Sequence, residues 1–242
     1  MDSSNDYNNT FHIFIMSGGD TKIIRVSKMN NLVVFGCSHT TGMGIDYEDS
    51  NNHTGEINKN AWPHVLGKLI NLNVINNGIE GSGCKETSYN VLNYDFHKND
   101  VVVVLWPNII RNCIIKKNSV IRLKPWETPY GNDLHADYWF KYFQSDSDDI
   151  FSNFMYITAT EKILENKVSS ITHSFHDKNL LKIFDDTDDF LKIFETKKVL
   201  KSFYRKPFYS TYKKYGKGKD GIHLNEKAHK MFANDLYNHI KN

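Results

Sequence analysis

No stretch of these 242 residues reaches eighteen consecutive apolar positions, so the sequence predicts no membrane-spanning helix. Cysteine is scarce. Cys37, Cys84 and Cys113 are odd in number and lack C-x-x-C spacing, which fits free thiols in a reducing compartment better than a disulfide framework. An excess of one charge is also missing: 30 Lys and Arg against 28 Asp and Glu leave a net charge of +2. That balance supplies no field to draw nucleic acid or an anionic membrane. Residues 197–219 contain no acid, but a basic run of this kind reads as a solvated face. No basic region precedes an apolar core near the N-terminus, so no secretory signal is expected, and the cytoplasm is the expected location. There is no internal repeat and no sign of a second domain.

A hydrophobic content of 40% with 24% charged residues is ordinary for one soluble globular domain. Residues 1–10 are polar and expected to be disordered. The apolar-rich stretches 11–16 and 21–26 flank Ser17-Gly18-Gly19-Asp20, which predicts a β-hairpin. These segments form an N-terminal extension, residues 1–30, ahead of a domain at 31–242 with a long middle insertion at about 107–205.

From residue 32 the pattern alternates strand and helix. Residues 32–35 and 101–106 are continuous apolar runs of the kind buried on both faces of a sheet. Strands are also predicted at 73–76 and 168–173. Helices are predicted at 61–70, from about 84 to 96, at 138–165, at 180–194 with an acidic interruption, and at 225–240 with Asn225 as N-cap. This alternation predicts an α/β protein with a mostly parallel sheet covered on both faces. In such sheets ligands bind beyond the carboxyl ends of the strands.

Three polar segments fall there: residues 36–44 (Gly-Cys-Ser-His-Thr-Thr-Gly-Met-Gly), 76–83 (Asn-Asn-Gly-Ile-Glu-Gly-Ser-Gly) and Pro107-Asn108. The first is no P-loop, because the sixth residue from Gly36 is Thr41 and no Lys follows. It is no dinucleotide fingerprint either, since Gly42-Met43-Gly44 is followed by Ile45-Asp46-Tyr47. A serine just past a buried strand can present its hydroxyl for attack, with its own N–H beside it, provided a base is near. Asp220-Gly221-Ile222-His223 offers a base and a carboxylate to orient it. Taken singly, Ser38 also reads as a helix cap, Asp220 and His223 as a surface turn, and Asn108 as a turn residue. His173 and His176 lack the further ligand of a zinc set, and the acidic run 185–189 lacks the glycine of a calcium loop, so no metal is expected.

In combination these blocks resemble the SGNH (GDSL) hydrolases. Gly36-Cys37-Ser38 with Gly42 matches the first family block, Asn76 with Gly81 the second, Trp106-Pro107-Asn108-Ile109 the third and Asp220-Gly221-Ile222-His223 the last. The resemblance covers residues 32–242 apart from the long middle. It implies a three-layer α/β/α sandwich with a flavodoxin-like sheet and a cofactor-free serine esterase acting on a small-molecule or glycan ester. Ser38 would be the nucleophile, His223 the base and Asp220 its orienting partner. The N–H groups of Ser38 and Gly81 and the Asn108 amide would form the oxyanion hole. An O-acyltransferase on the same triad and a non-catalytic binding module are the alternatives. Cys37 stands where the family usually has Asp, Trp106 where it has Gly, and Ile109 where it has a second Asp. His39, Trp106 and Arg111 are candidate substrate contacts, with loop packing the alternative for His39 and a surface ion pair for Arg111. Residues 204–215 are expected to form a flap over the site that packs its own aromatics. No nucleic-acid partner and no integral membrane association is expected, and the oligomeric state is left open.

Overall fold

The structure, a computed structural model of the chain, describes residues 11–17, 20–26, 31–46, 57–117, 119–123, 134–184 and 199–241. The expectations for residues 1–10 and 185–194 lie outside these residues. Strands β1 (Phe11–Ser17) and β2 (Asp20–Val26) pair antiparallel from Phe11↔Val26 to Ser17↔Asp20, as the spacing around Gly18-Gly19 predicts.

The central sheet is built from β3 (Asn31–Gly36), β4 (Asn73–Gly78), β5 (Val101–Trp106) and β8 (Ser170–Phe175), in the spatial order β4-β3-β5-β8. All three pairings are parallel. After β3 the chain makes the short α1 (Ser38–Thr41) and α2 (Trp62–Ile70) before β4; α3 (Cys84–Leu92) connects β4 to β5. Between β5 and β8 lie the hairpin β6 (Asn112–Lys116) and β7 (Ser119–Leu123), α4 (Leu134–Tyr142) and α5 (Asp146–Leu164). After β8 come α6 (Lys178–Phe184), α7 (Phe208–Tyr212) and α8 (Glu226–Lys241).

Strand side chains alternate between two cores, which makes the protein a three-layer α/β/α sandwich. Leu32, Val34, Val101, Val103 and Leu105 pack with Trp62, Leu66, Phe208, Tyr212, Phe232 and Leu236, on the side of α2, α7 and α8. Val33, Phe35, Val102, Val104 and Trp106 pack with Val91, Phe154, Ile157, Ile183 and Phe184, on the side of α3, α5 and α6. Both faces of β3 and β5 are therefore dry, and this is why these two strands read as unbroken apolar runs. Asn225 caps α8, its Oδ1 accepting from the Ala228 N–H at 3.0 Å.

Three features differ from the sequence reading. The helix expected at 138–165 is two helices, because Ser145 interrupts it and caps α5 by accepting from the Asp148 N–H. The β6–β7 hairpin lies in the middle insertion, in a stretch for which the sequence predicts no strand or helix. Residues 204–215 form no flap: Tyr204, Phe208 and Tyr212 are buried beneath α8. The Tyr204 and Tyr212 hydroxyls are 2.7 Å apart and both donate to Asp235 of α8, a long-range partner that ties the segment inward.

Candidate active site

The first crossover, through α2, carries the chain to one side of β3, and the next, through α3, carries it to the other side onto β5. Strand order thus reverses between β3 and β5, and the crevice beyond their carboxyl ends is the topological switch point. Ser38 stands two residues past the end of β3, Asn108 two past β5, and Gly81 three past β4.

The strand-to-α1 turn is sterically demanding. Gly36 has φ +155°, and a Cβ on it would stand 2.2 Å from Thr40 Oγ1 and 2.8 Å from the Leu105 carbonyl oxygen. Only glycine lets the chain turn this tightly against β5. The turn is stapled from β4: Asn76 donates to the Thr40 carbonyl at 2.8 Å while its Oδ1 accepts from the Gly78 N–H. The Gly36 carbonyl accepts from the Ile79 N–H and the Ser82 hydroxyl. Cys37 contributes through its backbone, its carbonyl accepting from Thr40 N–H and Thr41 N–H at the start of α1. Nothing in these contacts uses the side chain at position 37.

The loop before α8 meets this turn across a second close approach. The Gly44 carbonyl accepts from the Lys219 N–H at 2.8 Å, and a Cβ on Gly44, which has φ +85°, would stand 2.7 Å from Asp220 Oδ2. The bare backbone of Gly44 is what allows the Asp220 carboxylate to lie against it. Asp220 Oδ1 accepts from the N–H groups of Ile222 and His223, and Oδ2 is 2.5 Å from His223 Nδ1. His223 Nε2 is 2.9 Å from Ser38 Oγ. The structure therefore brings Ser38, His223 and Asp220 into one hydrogen-bonded line, although 182 residues separate Ser38 from Asp220 in the chain.

Burial alone would raise the Asp220 carboxyl, but the Ile222 N–H, the His223 ring and the His223 N–H outweigh it and hold the group below the ordinary carboxylate value. Asp220 is thus ionised at neutral pH. With Asp220 accepting at Nδ1, the His223 proton sits on that nitrogen and Nε2 is the acceptor facing the serine hydroxyl. This is the arrangement a general base requires.

Gly81 has φ +71°, a left-handed conformation suited to glycine, in the loop that follows β4. Asn108 Oδ1 accepts from the Ile110 N–H at 3.1 Å, an Asx turn that leaves the amide Nδ2 at the opposite end of the group.

The remaining candidates behave differently from one another. His39 is only 4% exposed and packs against His223 (ring centroids 4.8 Å), His176 (4.9 Å) and Phe208 (5.1 Å), so its contacts are those of loop packing. Burial, then the neighbouring rings of His176, His223 and His229 and the Arg111 guanidinium, push it well below the usual histidine value. It stays neutral beside His223. Trp106, a candidate substrate contact, is instead fully buried; its ring is turned into the core, where Nε1 donates to His173. Arg111 is half-buried rather than a surface residue, and a side chain at Gly83 would run into its carbonyl oxygen. A cavity of about 270 Å³ opens beside the Asn108 loop, lined by Ile109, Ile110 and Ile150 and by Asp146, Asp149, Asn179 and Lys182. Sequence reasoning missed this lining, which comes from three separated segments. Among the described residues, no group of three or more His, Cys, Asp or Glu side chains is arranged to hold a metal ion. No helix among them is long and apolar enough to cross a membrane.

Behind the site, His229 is fully buried, with Nδ1 accepting from the Trp62 N–H at 3.2 Å. Burial, helped by His223, pushes it down to about 3. Between that value and the unfolded value near 6.5, the unfolded chain binds a proton that the folded chain does not, so stability falls as pH drops below 6.5. By pH 5 the loss from this group is roughly 2 kcal/mol, or a Tm lower by about 4–8 °C for a chain of this size. Thermal scans at pH 7.5 and pH 5 test this. His229→Asn should flatten the difference, and an unchanged difference would contradict the burial argument.

No protein-family model and no curated protein sequence matches the chain. Solved structures do. An acetyl xylan esterase from the rumen bacterium Butyrivibrio proteoclasticus superposes with a TM-score of 0.58 at 13% identity, over 92% of this chain and 66% of that one. This chain thus spans slightly less than two thirds of that longer esterase. The native aryl esterase of M. smegmatis matches with a TM-score of 0.50 at 13% identity, over 88% of this chain and 98% of that one. A catalytic mutant of an acetylxylan esterase from Geobacillus stearothermophilus matches with a TM-score of 0.50 at 14% identity, over 87% and 94%. The fold is that of the SGNH hydrolases.

Proposed function

We propose that this chain is an SGNH-type serine hydrolase cleaving carboxylic esters, with residues 31–242 as the hydrolase domain and residues 1–30 as an extension of it. The observation that carries the proposal is the line from Ser38 Oγ to His223 Nε2 (2.9 Å) and from His223 Nδ1 to Asp220 (2.5 Å) at the switch point of the sheet. Ser38 Oγ attacks the ester carbonyl as His223 takes its proton. The oxyanion is received by the N–H groups of Ser38 and Gly81 and by the Asn108 amide. The tetrahedral intermediate collapses, the C–O bond to the alcohol breaks, and His223 returns the proton to the departing oxygen. Water, deprotonated by His223, then attacks the acyl-Ser38 ester; the C–O bond to Ser38 Oγ breaks, His223 returns the proton to Oγ, and the acid is released. No step requires a cofactor.

For substrate, we propose small acyl groups, acetyl first, on a sugar. The names of two of the similar structures, both acetyl xylan esterases, support this. So does the cavity beside Asn108, because carboxylates, an amide and a lysine bind hydroxyls while Ile109, Ile110 and Ile150 offer an apolar flank for a ring.

The test is hydrolysis of p-nitrophenyl acetate against longer acyl chains, and acetate release from acetylated xylo-oligosaccharides. Turnover that declines with acyl length is expected; a folded protein that hydrolyses none of these would count against the proposal. Asp146→Ala should raise KM for the acetylated oligosaccharide about tenfold while leaving p-nitrophenyl acetate kinetics unchanged, since it removes binding on the alcohol side only.

A further inference from the structure

A chain of hydrogen bonds crosses the core beneath the candidate site. Trp106 Nε1 donates to His173 Nδ1 at 2.8 Å, and His173 Nε2 lies 2.8 Å from Glu161 Oε2. Glu161 Oε1 accepts from the Lys201 N–H at 3.2 Å. Trp106 and His173 are 0% exposed and Glu161 is 1% exposed. An indole N–H can only donate, so His173 Nδ1 must accept, and the imidazole proton sits on Nε2 and goes to the Glu161 carboxylate. Burial alone would raise that carboxylate, but its bond from His173 and the Lys201 N–H hold it below its ordinary value, so the acceptor is ionised.

Polar groups taken this deep into a core are costly to desolvate, and an apolar ring at each position would fill the same space. What the relay adds is fixed geometry at one point. Trp106 is the last residue of β5, its carbonyl accepts from the His176 N–H at 2.9 Å, and Pro107-Asn108 follows directly. On the far side, Asn153 donates to the Ile109 carbonyl at 3.0 Å. The Asn108 backbone is clamped between these two anchors. We infer that Trp106, His173 and Glu161 are positioning residues, a buried relay that holds the β5 exit so that the Asn108 amide meets the oxyanion. The inference rests on the proposed role of Asn108, and it gives the tryptophan in place of the family's glycine a task.

A double-mutant cycle tests it, with p-nitrophenyl acetate as substrate and Tm measured throughout. Trp106→Phe, which removes the donor and keeps a ring, should lower kcat about tenfold with KM within twofold. In an Asn108→Ala background, itself reduced about 100-fold, the same change should cost less than twofold, because there is no amide left to position. The Tm loss from Trp106→Phe should be equal in both backgrounds, separating positioning from stability. Should Trp106→Phe fail to fold, Glu161→Gln breaks the relay at its other end and is read in the same way. Equal kcat losses in both backgrounds, with Asn108→Ala still costing 100-fold, overturn the relay alone. An Asn108→Ala variant as active as the wild type overturns the oxyanion role and the relay with it.

Discussion

Ser38→Ala should lower ester turnover by about 10⁴-fold or more while leaving the fold intact, and His223→Ala added to it should cost little further. Both effects follow from one geometry. In the proposed route the hydroxyl oxygen is the atom that bonds to the substrate carbonyl, and Nε2 of His223, 2.9 Å away, is useful only while that hydroxyl is present. A base without a nucleophile cannot recover an acyl-enzyme route, so the two losses are not additive. Oγ is a small part of a residue that is 3% exposed, and α1 is held by backbone N–H groups donating to the Cys37 and Ser38 carbonyls, which alanine keeps. Circular dichroism and Tm close to the wild type are therefore expected alongside the kinetic loss. A folded Ser38→Ala enzyme that retained full turnover would remove the nucleophile assignment outright.

Asp220→Asn should cost almost as much, about 10⁴-fold in kcat, by a different route. The carboxylate accepts from His223 Nδ1–H and from two backbone N–H groups, and only an acceptor on that side keeps the imidazole acceptor facing Ser38. An amide can turn its NH₂ toward Nδ1, which moves the ring proton to Nε2 and points a donor at the serine. The packing of the loop against Gly44 should survive, since the side chain is nearly isosteric. KM should thus change little while kcat collapses, and reactivity should recover in part at high pH, where hydroxide substitutes for the missing base. A fall in KM affinity with kcat preserved would mean that Asp220 acts on substrate binding instead.

Much of this was legible in the chain because the relevant signals are local. The continuous apolar runs of β3 and β5 reflect strands buried on both faces, and the polar blocks after them fall where a parallel sheet exposes its carboxyl ends. Asp220 and His223 stand three apart on one loop, so their pairing needs no long-range information. What was not legible depends on partners far apart. Trp106 reads as a pocket residue by its position in the motif, yet its partner His173 lies 67 residues away and turns the indole into the core. Residues 204–215 look like an aromatic surface flap until Asp235, on the last helix, gathers the Tyr204 and Tyr212 hydroxyls. The break between α4 and α5 did carry a local signal, Ser145 followed by Asp146, Asp148 and Asp149, but the aromatic and acidic pattern spans it on both sides. The contact of Gly44 with Asp220 left no trace at all, since it is a space left open rather than a residue pattern.

The central claim is that Ser38 is a nucleophile activated by His223, and covalent capture tests it without knowledge of the natural ester. The wild-type chain is treated with a fluorophosphonate, and intact mass followed by peptide mapping locates the adduct. One adduct per chain on Ser38, absent from Ser38→Ala and slowed at least 100-fold in His223→Ala, is the predicted result. A folded wild-type chain that takes up no label at Ser38, or takes it up equally fast without His223, would contradict the account.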